Sequence, residues 1–317
     1  MTAVQYALIV GIIFGFTLLE FVLRKAQNFH ETWQDNILDM VGFALLAIVT
    51  QPSIMWAASA IAHLVIPHYQ NAWADWPWYA GLAALLVGDD MMQYWWHLAS
   101  HKPLLWPLHR AHHSAQYMSA RIIYRNNFFY YVGMPSLWIS GLLVYLGLGP
   151  VYLVYLVCKM AVITGAHSCA QWDAPLYKIK ALTPLMWLVQ RTISTPSTHA
   201  AHHAMTNTDG IGYYTGNYGN LLFFWDVLFG SAYITQAYPA KAGLKDDVLF
   251  GAEKWWVELF YPIFKSKRQH SALVPGGKPY DDPIEATYRQ DMAARNNASQ
   301  MHPATAKSKA QTRRSSL

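Results

Sequence analysis

The residues of this chain best suited to chemistry lie at 97–113, HLASHKPLLWPLHRAHH, where five of the 14 histidines are concentrated. They fall as H-x3-H (His97, His101) and H-x2-H-H (His109, His112, His113), and a second H-x2-H-H follows at His199, His202 and His203. On a helix, residues three and four apart share a face, so each triplet spreads its imidazoles over roughly 100° at about 3.6 residues per turn. Neutral imidazole ligates iron, zinc, copper and nickel in preference to magnesium or calcium. Eight helix-spaced histidines exceed what one four-coordinate zinc uses and are enough for two metals. A lone H-x3-H pair is weak; a repeated H-x2-H-H is not easily an accident. The spacing predicts a two-metal site.

The segments that must position these histidines are apolar. The chain is 54% hydrophobic and only 13% charged, which leans towards a membrane protein. Residues 4–22 form an apolar run close to the roughly 20 residues that one bilayer crossing needs. With no small-residue cleavage site after it, the run is expected to be an anchor rather than a signal peptide. Residues 37–66, interrupted at Pro52, read as one kinked, tilted crossing or a re-entrant pair, followed by an aromatic interfacial loop at 68–78. A third helix at 79–96 carries Asp89 and Asp90 and delivers His97. Residues 128–146 and 151–166 read as a last hairpin around the breaker Gly147-Leu148-Gly149-Pro150.

Charge placement agrees with five crossings. No Lys or Arg lies between Lys25 and Lys102, or between Arg125 and Lys159. Arg24, Lys25, Lys102, Arg110, Arg121, Arg125, Lys178, Lys180 and Arg191 then fall on one side, which the positive-inside rule makes cytoplasmic, together with every histidine group. The net charge of +5 is better matched to anionic headgroups than to nucleic acid, for which there is no motif. Cys158 and Cys169 lack a C-x2-C partner and are expected to remain thiols. Residues 254–264 (KWWVELFYPIF) suit an interfacial segment, and the polar composition from 265 predicts a disordered tail. VPGG at 274–277 is expected to be a turn.

The histidine pattern resembles that of the fatty acid hydroxylase / sterol desaturase superfamily of membrane di-iron oxygenases. Asp90 and Tyr94 precede His97 as in that family's D-x3-Y-x2-H; Pro103, Trp106 and Ser114 sit where its members carry them. NYGNLLFFWDVLFGS at 217–231 is similar to its N-Y-G…W-D-x-x-F-G segment. The resemblance covers about 90–231. It implies that His97, His101, His109, His112, His113, His199, His202 and His203 are the ligands of two iron ions, and it adds His167 in GAHSC, where members often carry a histidine. Asp90 and Asp226 are candidate carboxylates that orient the imidazoles, with a helix cap or fold-holding hydrogen bond the equal alternative for Asp226, whereas Asp89 reads as a neighbour. His30, His63, His68, His270 and His302 lie outside every motif. Two departures stand out: Leu98 replaces the Arg frequent after the first histidine, and Arg125-Asn126-Asn127 replaces R-x-H, so Asn127 is a doubtful ligand.

The expected fold is therefore all-α: a multi-span transmembrane helical bundle with a cytoplasmic histidine-rich helical cap holding two metals. Its expected parts are N-terminal transmembrane helices (1–88), a di-iron hydroxylase domain containing the hairpin (89–235), an interfacial segment (236–264) and a polar tail (265–317). The expected function is O2-dependent hydroxylation of a lipid C–H bond, in which an apolar channel between helices selects the substrate. Phe128-Phe129-Tyr130-Tyr131 and Phe223-Phe224-Trp225 are candidate channel walls. A separate electron donor (ferredoxin, cytochrome b5 or a reductase) is implied, and a bacterial inner membrane is favoured over the endoplasmic reticulum. Desaturation on the same site is the first alternative. A zinc hydrolase is more distant, since no motif offers the carboxylate of H-E-x2-H, and a silent scaffold is the third.

Overall fold

The computed structural model describes residues 3–27, 31–268 and 270–277. Among them there is no β-strand, only an isolated antiparallel bridge between Ala204 and Ala242. Helix α1 (Ala3–Gln27) is followed by α2 (Trp33–Val65). Thr32 caps α2: its side chain accepts from Asp35 N while the Asp35 carboxylate accepts from Thr32 N. Pro52 has no N–H to continue the ladder, and a wide π-turn at Leu45–Thr50 precedes it, with Thr50 Oγ1 donating back to Leu45 O. The result is one kinked helix, the first of the two readings of this stretch. Helix α3 (78–100) contains a second π-turn, Leu86–Met91, which buries both Asp89 and Asp90.

Helix α4 (Trp106–His113) begins with Pro107 in its first turn. After it come α5 (135–148) and α6 (Gly149–His167). These two are joined at Gly147, whose φ of +111° breaks the helix and reverses the chain. The register proves the reversal. Gly81 of α3 meets Leu148 and Gly88 meets Leu143 and Ile139, so α5 is antiparallel to α3. Gly81 also meets Val151 while Asp89 pairs with Lys159, so α6 is parallel to it. The expected arm 128–146 is thus corrected: Phe128–Val132 is a separate short helix, and the arm starts only at Pro135.

The same bookkeeping orients the rest. Phe16 touches Gly165, and Glu20 accepts from Cys169 N, so α1 runs parallel to α6. Tyr145 Oη donates to Ile66 O while Gly141 backs onto Ala58, so α2 and α5 run together. Helices α1, α3 and α6 therefore point towards the histidines, and α2 and α5 point away. At the far end Leu85, Leu143, Leu146, Leu148, Tyr152 and Tyr155 form the main core. Among the described residues, Trp33–Val65 is a helix long and apolar enough to cross a membrane, and the equally apolar stretch Pro135–His167 is the hairpin of α5 and α6. Trp56, Leu64 and Val154 point outward from these helices.

Three further elements frame the site: α7 (Pro196–His202), α8 (Phe224–Phe229) and α9 (Trp255–Phe260). Helix α9 is half of the expected interfacial segment; it buries Val257, Glu258 and Leu259 and leaves Trp256 exposed. The chain stays ordered to 277, beyond the expected start of the tail. Ser266 and Ser271 donate to Glu253, Leu273 is fully buried, and Gly277 N closes the expected turn on Val274 O. His30, His302 and the tail at 278–317 lie outside the described residues.

Gly147 supplies a test of the hairpin. A Cβ there would lie 2.7 Å from Ala74 N, in a backbone conformation that costs L-residues about 1–3 kcal/mol. Gly147→Ala should lower the thermal midpoint of the detergent-purified protein by several degrees. Gly149→Ala, whose nearest neighbour is Val144 at 3.9 Å, should leave it nearly unchanged.

Candidate metal centre

The structure gathers all nine histidines singled out from the sequence into two adjoining groups. His97, His101, His109, His113 and His202 form one; His112, His167, His199 and His203 form the other. Within each group the ligand nitrogens lie within 4.8 Å of one another. Both H-x2-H-H helices are shared between the groups. In α4, His109 and His113, one turn apart, serve the first and His112 the second. In α7 and its C-cap, His199 and His203 serve the second and His202 the first. The i and i+4 positions differ by about 40° around a helix and i+3 lies about 60° to the other side, which divides each triplet two and one. The rings of His113 and His203 stack at 4.4 Å where the groups meet.

Main-chain carbonyls fix the rings. Nδ1–H donates to Tyr218 O from His97, to Gly216 O from His202, to Ile122 O from His112 and to Ile163 O from His167, at 2.7–3.0 Å. His109 Nδ1 is held by Asn126 Oδ1 at 2.8 Å. In a neutral ring so fixed, Nε2 carries only a lone pair. Yet Nε2 of His97 and His202 lie 3.0 Å apart, and those of His112 and His167 lie 3.3 Å apart. Facing lone pairs repel unless a cation lies between them. Nitrogens bound to one ion at about 2.1 Å stand about 3 Å apart when at right angles. The residues present therefore fit metal ions.

Protons are a poor substitute for that cation. Burial, reinforced by neighbouring histidines, holds His101, His109, His112, His113, His199, His202 and His203 well below the ordinary imidazole range. The rings are thus neutral at pH 7, the form that binds metal.

Comparison with known proteins points the same way as this geometry. Residues 82–231 match the family model described as fatty acid hydroxylase. The alkylglycerol monooxygenase of Danio rerio is 27% identical over 266 residues, covering 78% of this chain and 52% of the relative. Both findings support the fatty acid hydroxylase / sterol desaturase superfamily for this chain. It spans about half the length of that curated relative. No solved structure matches.

The hydroxylase-like N-Y-G…W-D segment now has a physical account. Asn217, in left-handed backbone conformation, donates from Nδ2 to Thr198 O and Tyr233 O, clasping the loop to α7. Asp226 accepts from Tyr218 N and Gly219 N, and Asp90 accepts from Leu221 N, Leu222 N and Trp225 Nε1. The hydrogen bonds of both aspartates thus go to the loop and not to an imidazole: Asp226 takes the fold-holding alternative, and Asp90 does the same in place of orienting a ring directly. They brace the loop whose Gly216 and Tyr218 carbonyls orient the rings. The histidine-orienting carboxylate of many metal sites is here replaced by peptide oxygens, and sequence spacing does not report peptide oxygens.

The departures from the family pattern are also accounted for. Asn127 caps Phe129 N and donates to Glu258 O and Tyr261 O, so it is committed to the fold. Arg125 pairs with Asp35 at 2.5 Å and Asp39 at 3.4 Å, pinning the start of α2. Leu98 packs against the Tyr94–Tyr218–Trp225 cluster. Arg110, inside the first H-x2-H-H, was not singled out from the sequence. It is fully buried and bonds Asp247 and Glu258, tying the C-terminal segment to α4.

Two outcomes are expected. Asp226→Ala should free the Tyr218 loop and weaken metal retention about 10- to 100-fold, measured as metal content against a chelator series. Metal-free protein should lose stability as pH falls below about 6.5, because unfolded imidazoles take up protons there and the buried ones do not. A flat profile of thermal midpoint between pH 7.5 and 5.5 would contradict the burial of neutral rings.

Proposed function

We propose that this chain is an integral-membrane, non-haem di-iron oxygenase that hydroxylates a C–H bond of a lipid. One observation carries the reading. A largely apolar cavity of about 600 Å³ ends on His97, His109, His112 and His167, which come from both groups. Its size is that of a small-ligand site. It is bounded by α1, α2, α3, α5 and α6, and its wall includes Ile48, which is 72% exposed on the π-turn of α2. A lipid chain can enter such a space sideways and bring a methylene to both metals. Tyr130 and Tyr131 of the expected aromatic run line it; Phe224 points outward.

His97, His101, His109, His113 and His202 would hold one iron, and His112, His167, His199 and His203 the other. Two irons would supply activation of O2 and the oxidising power to break an unactivated C–H bond. In the overall reaction one oxygen atom enters that bond and the other leaves as water, with two electrons from a separate donor and two protons from solvent. Ferredoxin, cytochrome b5 or a reductase fits this role. The chain's own part is to fix nine rings, position the lipid and exclude water; eight of the nine histidines are buried and His101 is nearly so. Asp90 and Asp226 act as positioning residues through the Tyr218 loop.

Five crossings are supported by the alternating helix directions. Arg110, Arg121, Arg125, Lys178, Lys180 and Arg191 belong to the histidine end, and the far loop at 67–77 carries only Asp75. The positive-inside rule makes the histidine end cytoplasmic; a bacterial inner membrane is favoured. The name of the Danio rerio relative suggests an ether lipid as one substrate of suitable shape. A zinc hydrolase is disfavoured because neither histidine group includes a carboxylate to serve as base. Desaturation remains the alternative outcome of the same oxidant.

The test is direct. Purified protein should hold close to two irons per chain and, with a reductant and O2, convert membrane lipid to a product heavier by one oxygen. His112→Ala and His202→Ala should each abolish turnover, since each removes the ligand that crosses between groups. Zinc in place of iron with O2-independent hydrolysis would overturn the proposal, and a product lighter by two hydrogens would select desaturation.

A further inference from the structure

Two parallel helices carry matching polar steps into the cavity. Asp89, Gln93 and His97 recur every four residues on α3, and Lys159, Ile163 and His167 do the same on α6; all six line the cavity. Lys159 Nζ lies 2.9 Å from Asp89 Oδ2, with both residues buried. The pair stands eight residues from the histidine on each helix, about 12 Å at 1.5 Å per residue. It therefore forms a charged rung across an otherwise apolar space, deep within the segments read as membrane-spanning.

Burying an ion pair in such surroundings costs more than filling the space with apolar side chains of similar size, so a pair retained there signals a use. A brace between α3 and α6 would account for the pair alone. It does not account for Gln93, one turn nearer the metals on the same face, whose carboxamide oxygen is buried without a hydrogen-bond partner. Nor does it account for Ser136, which lines the same cavity with its Oγ equally unpartnered. Polar side chains that line a cavity and carry an unsatisfied oxygen can turn to meet a ligand that satisfies them.

We infer that the cavity binds a lipid bearing a neutral hydrogen-bonding group, a hydroxyl, ester or amide, which docks on the Asp89–Lys159 rung and Gln93. The opposite charges of the rung compensate each other, so a charged ligand would bring an unbalanced charge into a dry site. The fixed separation from rung to histidines selects which carbon of the chain faces the metals. This inference rests on the oxygenase reading for that last consequence, but binding itself is independent of turnover.

The experiment uses the full iron-loaded chain in detergent and two probes of equal chain length, 1-hexadecanol and hexadecane. Wild-type protein should bind the alcohol about five- to tenfold more tightly, the yield of roughly one net hydrogen bond. The double variant Asp89→Leu/Lys159→Met removes both charges together; it should bind the two probes alike while keeping its iron content. Gln93→Leu provides the same comparison should the double variant fail to fold. An undiminished preference for the alcohol in a folded variant, or none in wild type, overturns the inference even if lipid is still hydroxylated. Absence of hydroxylation with the preference intact overturns the oxygenase reading instead.

Discussion

Four imidazole rings, each anchored through Nδ1 to a peptide carbonyl, turn their bare Nε2 lone pairs towards one another inside a dry protein. That arrangement is repulsive on its own, and much of the surrounding structure serves to enforce it. Arg110 fastens α4 to the C-terminal segment, and Arg125 fastens the 3-10 turn after α4 to the head of α2. Asn217, Asp226 and Asp90 hold the loop that supplies two of the carbonyls. Several charges near the site thus act one contact away from a ring, on backbone.

The same helices that deliver the histidines also shape what reaches them. Helices α3 and α6 run side by side from the far core to the histidines, so Gln93 and Asp89, set back by one and two turns from His97, and Ile163 and Lys159, set back likewise from His167, line the same cavity. The chemistry of the site and the selection of what enters it are thereby written on two helix faces. The loops complete the ligand set but contribute little to the cavity wall.

Much of this was legible in the sequence. The nine histidines, the break at Gly147 and the kink at Pro52 follow from spacing and from residues with unusual backbone demands. What escaped depended on packing between distant segments. Lys159 looks like a stray charge in an apolar run and Asp89 like a neighbour of Asp90; only the parallel docking of α6 on α3 makes them partners. Asp90 was recognised as significant but expected at a ring, and for Asp226 the ring and the fold were equal choices, because a peptide carbonyl has no letter in the sequence. The ordered segment up to 277 was missed because its composition is polar; buried Arg–carboxylate pairs and Leu273 hold it down in place of an apolar stripe.

The sharing of each H-x2-H-H helix between both groups has a consequence for assembly. On the two-metal reading, an ion held in either group would tie α4 to α7 and so fix the crossing residue, His112 or His202, that belongs to the other group. The second ion would then meet a nest already held in place by the first. Uptake should consequently be all-or-none, with half-filled molecules scarce at every metal concentration.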